Sequence, residues 1–305
     1  MYMGGGANSM FFTVAGWLSQ LIVVMFFFYS GYGMMEQLKR RGSEYLHSFL
    51  SKRFLPTYVN FAICVFLYWI MNVVLKIQYP NKQILLSFTG WYGIGNSNWF
   101  MFVTFLFYFI FVLSFRFAKK LDMGFLIFCS FTFIFFIILH ETRDYWWWNT
   151  LFCLPAGSFW SLYRNKIEQV LFSTTVKWAV VFCIILFFFS FFYFYSKKIA
   201  IVYVVTSFLF AFLIVIITMK VAFRKSYFFS FLGTHVFSIY ILQRIPFIIF
   251  ERIGLNTVWY FYLPICFVVT LLISILYDKL FEIGKIMVIN LNKKIKVSKA
   301  GEERE

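Results

Sequence analysis

Few residues of this chain can do chemistry, and those few sit at the ends or breaks of long apolar runs. His140 is followed by Glu141, Arg143 and Asp144. An imidazole titrating near neutrality can take the proton of a hydroxyl, while the same four residues equally suit an interfacial salt-bridged loop. Gln243 and Arg244 stand within an apolar run, shortly before Pro246. An arginine there must face a bundle interior, snorkel to the interface or pair with a carboxylate such as Glu251. Glutamine has no such escape, which places Gln243 in a cavity. Ser30, Gly31 and Tyr32 put a hydroxyl, a glycine and a phenol where "VVMFFFYSGYGM" turns polar. Glycine there suits either a ligand or close helix packing. Arg53 directly precedes "FLPTY", and arginine binds phosphate through two parallel hydrogen bonds. His47 lies in a basic, solvated loop. His235, beside Gly233 and Thr234, lies inside a late apolar run, where a bond to a neighbouring helix is the commoner fate and function the alternative.

The elements that must position these residues are membrane helices. Of 305 residues, 62% are hydrophobic and 13% charged, which does not suit the surface of a soluble domain. Apolar runs near 11–35, 56–76, 98–118, 121–140, 147–163, 174–196, 199–222, 227–249 and 257–280 predict about nine spans. The run at 147–163 is the weakest, broken by Pro155, Ala156 and Gly157. Connections are short, so residues 1–305 read as one integral-membrane domain, with 286–305 a basic tail.

The net charge of +16 is unevenly placed. Lys39, Arg40, Arg41, Lys52 and Arg53, then Arg116, Lys119 and Lys120, then Arg164 and Lys166, then Lys220, Arg224 and Lys225, occupy alternate loops. The positive-inside rule puts these and the tail in the cytoplasm. Topology thus accounts for the charge without a nucleic-acid partner. An odd count of spans puts the N-terminus outside, and one further helix ahead of residue 1 would restore an even count. The five cysteines all lie in apolar runs at spacings that suit neither a metal nor a disulfide framework.

Four segments carry a family likeness: "VVMFFFYSGYGM", "FLSKRFLPTY", "GNSNWFMFVTFLFYFIF" and "FSFLGTHVFSIYILQ", with "YWWWNTLFCLPAGSFWSLYRNKIE" between the last two. In order and spacing the chain resembles the acyltransferase-3 family of bacterial membrane proteins, which O-acylate sugars of envelope polysaccharides and lipids. The resemblance implies an all-α polytopic bundle, of about ten spans when complete, in the bacterial cytoplasmic membrane. It implies acyl-CoA, in the first place acetyl-CoA, as donor substrate, no bound cofactor or metal, and a sugar hydroxyl of an envelope polysaccharide or lipid-linked glycan as acceptor. Ser30, Gly31, Tyr32 and Arg53 are then expected at the acyl-CoA, Asn98, Trp99, Gln243 and Arg244 at the acceptor, and His140 with Glu141 as catalytic groups. The chain departs from the family in two ways. The first helix, with its arginine and the histidine proposed as base, is absent, and Gln243 stands where the family often has histidine. A truncated or mis-started chain of weak or no activity is therefore expected. A transporter or flippase of a lipid-linked saccharide is the alternative; the broken run at 147–163 suits it, and the scarcity of intramembrane carboxylates does not.

Overall fold

The computed structural model describes side chains over residues 20–171, 173–221, 226–255 and 260–287, with helical backbone continuing over 7–19, 259 and 288–302. The expected cytoplasmic tail, 286–305, therefore lies almost wholly outside the described side chains. Every regular element among the described residues is helical. In order they are α1 (Ala7–Arg41), α2 (Ser43–Phe49), a π-helical turn (Leu50–Phe54), α3 (Leu55–Val74), α4 (Asn81–Ser87), α5 (Trp99–Arg116) and α6 (Leu121–Thr142). A 3-10 turn (Tyr145–Trp147) leads into α7 (Cys153–Leu162), α8 (Arg164–Leu171), α9 (Thr175–Ser196), α10 (Val202–Lys220), α11 (Tyr227–Leu242), α12 (Arg244–Arg252) and α13 (Trp259–Glu302).

Among the described residues, seven helical stretches are long and apolar enough to cross a membrane, and the bent pair α11–α12 makes up to eight. The polytopic helical bundle is as expected, but the run at 147–163 does not cross as one helix. Its only α-helix, α7, has 10 residues, about 15 Å and half the depth of a hydrocarbon core. Leu154, Pro155, Ala156, Gly157, Ser158 and Trp160 are all buried in it. That segment is apolar because protein surrounds it, and hydropathy cannot tell such burial from contact with lipid. In contrast, α9 buries none of its residues, and its Phe187, Phe191 and Phe194 are exposed, as lipid-facing side chains must be. Hydroxyls within these helices bond back to the carbonyl four residues earlier, as Ser114 does to Ile110 and Thr132 to Phe128, which satisfies them without water.

The chain divides into two compact units, residues 1–58 with 99–224 and residues 59–98 with 225–305. In the first, α1 and α7 cross with their backbones touching. A Cβ on Gly31 would stand 1.9 Å from the Leu154 carbonyl oxygen, and one on Gly157 1.9 Å from that of Phe28. Ser158 Oγ closes the crossing by donating to the Gly31 carbonyl at 3.1 Å. α9 and α10 pair beside it, with Trp178 Nε1 donating to the Ile216 carbonyl.

In the second unit, α11 and α12 bend by 45° at Gln243 and pack on α13. Pro246 accounts for the bend, since it lacks an N–H and its ring opposes the carbonyl of Leu242. Tyr68 of α3 donates at 2.8 Å to the Ile241 carbonyl just before the break. The loop between α4 and α5 is tied down by amides: Asn72 Nδ2 donates to the Ile94 carbonyl and Gln83 Nε2 to that of Gly93.

Candidate functional site

One end of the first unit gathers cations and phenols. Glu36 Oε1 on α1 accepts from Lys39 Nζ at 2.7 Å and from Ser161 Oγ at 2.8 Å, while Lys39 also donates to the Ser161 carbonyl. Arg164, at the start of α8, donates to the Tyr32 hydroxyl at 3.1 Å and to Glu168 Oε1 at 2.5 Å. Tyr163 donates to Asp122 Oδ1 at 2.7 Å, and that bond pushes its phenol pKa up from the ordinary value. Arg53 emerges from the π-helical turn with its guanidinium 5.3 Å from the ring centroid of Tyr108, and it also interacts with Tyr45. A π turn widens the helix and redirects its side chains, a feature common at functional sites. Here it turns Arg53 toward aromatic faces.

The residues singled out in the sequence are distributed unevenly. Tyr32 joins this cationic end, whereas Gly31 is consumed by the contact with α7. Asn98 is buried and donates through Nδ2 to the carbonyls of Ser87 and Tyr92, securing a loop of the second unit. Trp99 is buried in the first unit against Phe27 and Phe100. Gln243 marks the α11–α12 bend, and Arg244 beyond it is exposed. His140 Nδ1 lies 2.9 Å from Glu141 Oε1. These side chains remain 45% and 71% exposed, an adjacent surface pair with Trp148 packed at a tilt against the imidazole rather than an enclosed base.

The second unit holds a polar cluster whose carboxylate went unremarked in the sequence. His235 of α11 places Nδ1 2.5 Å from Asp278 Oδ2 of α13, and Ser238 donates to the other carboxylate oxygen. Next to it, Tyr277 donates to Asn60 of α3. The signal was present as "ILYDKL", a carboxylate closing the last apolar run, and an ionisable group there needs a named partner.

A cavity of about 290 Å³ opens in the first unit, lined by Gln20, Tyr145, Tyr193, Ser196, Lys198 and Tyr203 among others. It lies about 30 Å along α1 from Arg41, at the end away from the cationic cluster. Gln20 Oε1 and the Tyr203 hydroxyl are buried there without a hydrogen-bond partner. Stranded polar atoms beside tyrosine faces suit a polyol.

The chain matches the family model described as "Acyltransferase domain" over residues 2–278. No curated protein and no solved structure matches it. With a match over most of its length and a bundle of apolar helices, the chain belongs to the acyltransferase-3 family and is a membrane acyltransferase.

Proposed function

We propose that the protein transfers an acyl group, in the first place acetyl, from cytoplasmic acyl-CoA to a hydroxyl of an envelope polysaccharide or lipid-linked glycan. The observation that carries this reading is the cationic end of the first unit, where Arg53, Lys39 and Arg164 are positioned by tyrosines and a carboxylate. Coenzyme A presents phosphates, which guanidinium and ammonium groups bind well. Arg53 contacts these phosphates, and Ser30 and Tyr32 line the donor side. Gly31 serves the donor site indirectly, by letting α1 and α7 meet. The polyol-suited cavity at the other end receives sugar residues of the acceptor, with the exposed His140 and Glu141 as outlying contacts. Trp99 acts by shaping the core of the first unit, and Asn98 and Gln243 by shaping a loop and the bend of the second.

The test is comparison of envelope-glycan acylation by mass spectrometry in cells with and without the gene. Loss of O-acetyl groups on deletion is the expected result. Unchanged acylation would defeat the reading. The bend at α11–α12 keeps a transport reading in view, since transporters build sites at interrupted helices. Saccharide accumulation on one leaflet without any acyl change would favour it.

A further inference from the structure

We propose that the cavity of the first unit takes an acidic saccharide, with Lys197 and Lys198 holding its carboxylate or phosphate; the inference rests on the reading of that cavity as the acceptor site. Both lysines line it, together with Gln20, Tyr145, Tyr193 and Tyr203. No aspartate or glutamate is among its described lining residues, so its wall carries positive charge alone. The two lysines also stand at the set of helix ends otherwise poor in lysine and arginine, where topology gives them no role.

The two are held differently. Lys197 caps the C-terminus of α9, where the free carbonyls favour a cation. Its Nζ lies 5.6 Å from the ring centroid of Tyr193 and 5.9 Å from that of Phe194, which keeps the ammonium beside an aromatic wall of the cavity. Lys198 has no such account. It stands one residue past the cap, exposed, and makes no ion pair among the described residues. An ammonium group has three donors and no acceptor, so the partner that suits it is an anion.

The remaining polar atoms specify the rest of the ligand. Gln20 Oε1 offers only lone pairs and calls for a donor, which a sugar hydroxyl supplies. The Tyr203 hydroxyl, on a residue only 9% exposed, can donate or accept, and it too is stranded. Burying such atoms unpaired is costly, and a ligand that pairs them removes the cost. Tyr145 and Tyr193 add ring faces. A volume of about 290 Å³ is at the small end for ligand sites, which suits a short stretch of glycan. A neutral sugar would leave Lys198 without its anion, and bare phosphate would leave Gln20 Oε1 without its donor. A sugar that carries both hydroxyls and a negative group serves all of these atoms.

Titration calorimetry on the purified protein in detergent tests the proposal without acyl-CoA. The probes are neutral maltohexaose, a galacturonate oligomer of the same length and phosphorylated maltohexaose. At least one acidic probe should bind about tenfold more tightly than the neutral one, the scale of one charge-assisted contact. The tighter of the two acidic probes identifies carboxylate or phosphate as the group held. Replacing both lysines, Lys197→Gln with Lys198→Gln, should erase the preference, and Lys198→Arg should keep most of it. Lys177→Gln, an equal loss of charge at the opposite end of α9, should leave it unchanged. Equal binding of neutral and acidic probes, or no binding of any, would overturn the inference. So would a preference that survives the double substitution, or one that Lys177→Gln lowers as much. Detergent-opened membranes carrying the protein, given the same probes and radiolabelled acetyl-CoA, separate this outcome from the acyl-transfer reading. Label on neutral and acidic saccharides alike would overturn the charge selection and leave acyl transfer standing. No label on any saccharide would defeat acyl transfer, while the titration still decides the selection.

Discussion

At the scale of single residues, the same residue type does opposite things in different surroundings. Gly31 and Gly157 are places where two backbones touch, and any Cβ would strike a carbonyl oxygen. Gly233, in the middle of α11, has nothing within 4 Å of where its Cβ would be. Gly157→Ala should therefore destabilise the protein by about 1–3 kcal/mol through overpacking, whereas Gly233→Ala should be neutral or stabilising by up to about 1 kcal/mol. Thermal unfolding in detergent checks both, and equal effects would contradict the crossing. Arg53 is the residue for which likeness to lysine in charge misleads. Its planar guanidinium lies over Tyr108, a contact an ammonium group makes less well. Arg53→Lys should raise KM for acetyl-CoA by about tenfold, equivalent to ~1.4 kcal/mol, with kcat nearly unchanged. A lowered kcat at constant KM would remove Arg53 from donor binding.

At the scale of elements, apolar length located most helices, because a membrane span is the one element whose length the solvent fixes. It failed at 147–163, where α7 is buried in protein and wears the same composition as a span. Pro155, Ala156 and Gly157 looked like a break in a helix that crosses; small residues there instead let α7 lie against α1. Tyr32 and Arg53 were singled out by the segments that carry the family likeness, "VVMFFFYSGYGM" and "FLSKRFLPTY", but their bonds to Arg164 and Tyr108 depend on tertiary packing. The His235–Asp278 pair was only half legible, since 43 residues separate the partners and only tertiary packing joins them. Tyr68 was not legible at all, because its hydroxyl is used by a carbonyl freed near a bend on another helix. That bend has a single cause in Pro246. Pro246→Ala should let α11 and α12 straighten from 45° toward one continuous helix, measurable as a longer distance between spin labels on residues 237 and 250. An unchanged distance would assign the bend to packing on α13 instead.

At the scale of the whole molecule, charge and cavity together define a direction through the membrane. Arg41, Lys120 and Arg164 stand at one set of helix ends, while Gln20, Tyr145, Lys198 and Tyr203 stand at the other, around the cavity of the first unit. Lys197 and Lys198 run against a purely electrostatic reading of topology, since they put two positive charges on the side that should be poor in them. Counting resolves the conflict: the loops on the Arg41 side carry many more lysines and arginines. The two lysines are instead placed where a cavity with stranded polar atoms would use them. Cysteines introduced one at a time as Lys198→Cys and Lys166→Cys, in a chain whose own five cysteines are replaced by serine or alanine, should separate in intact cells. A membrane-impermeant maleimide should label position 198 directly and position 166 only after permeabilisation. Labelling of both without permeabilisation would place the cationic end outside, away from cytoplasmic acyl-CoA, and the donor assignment of Arg53 would fall with it.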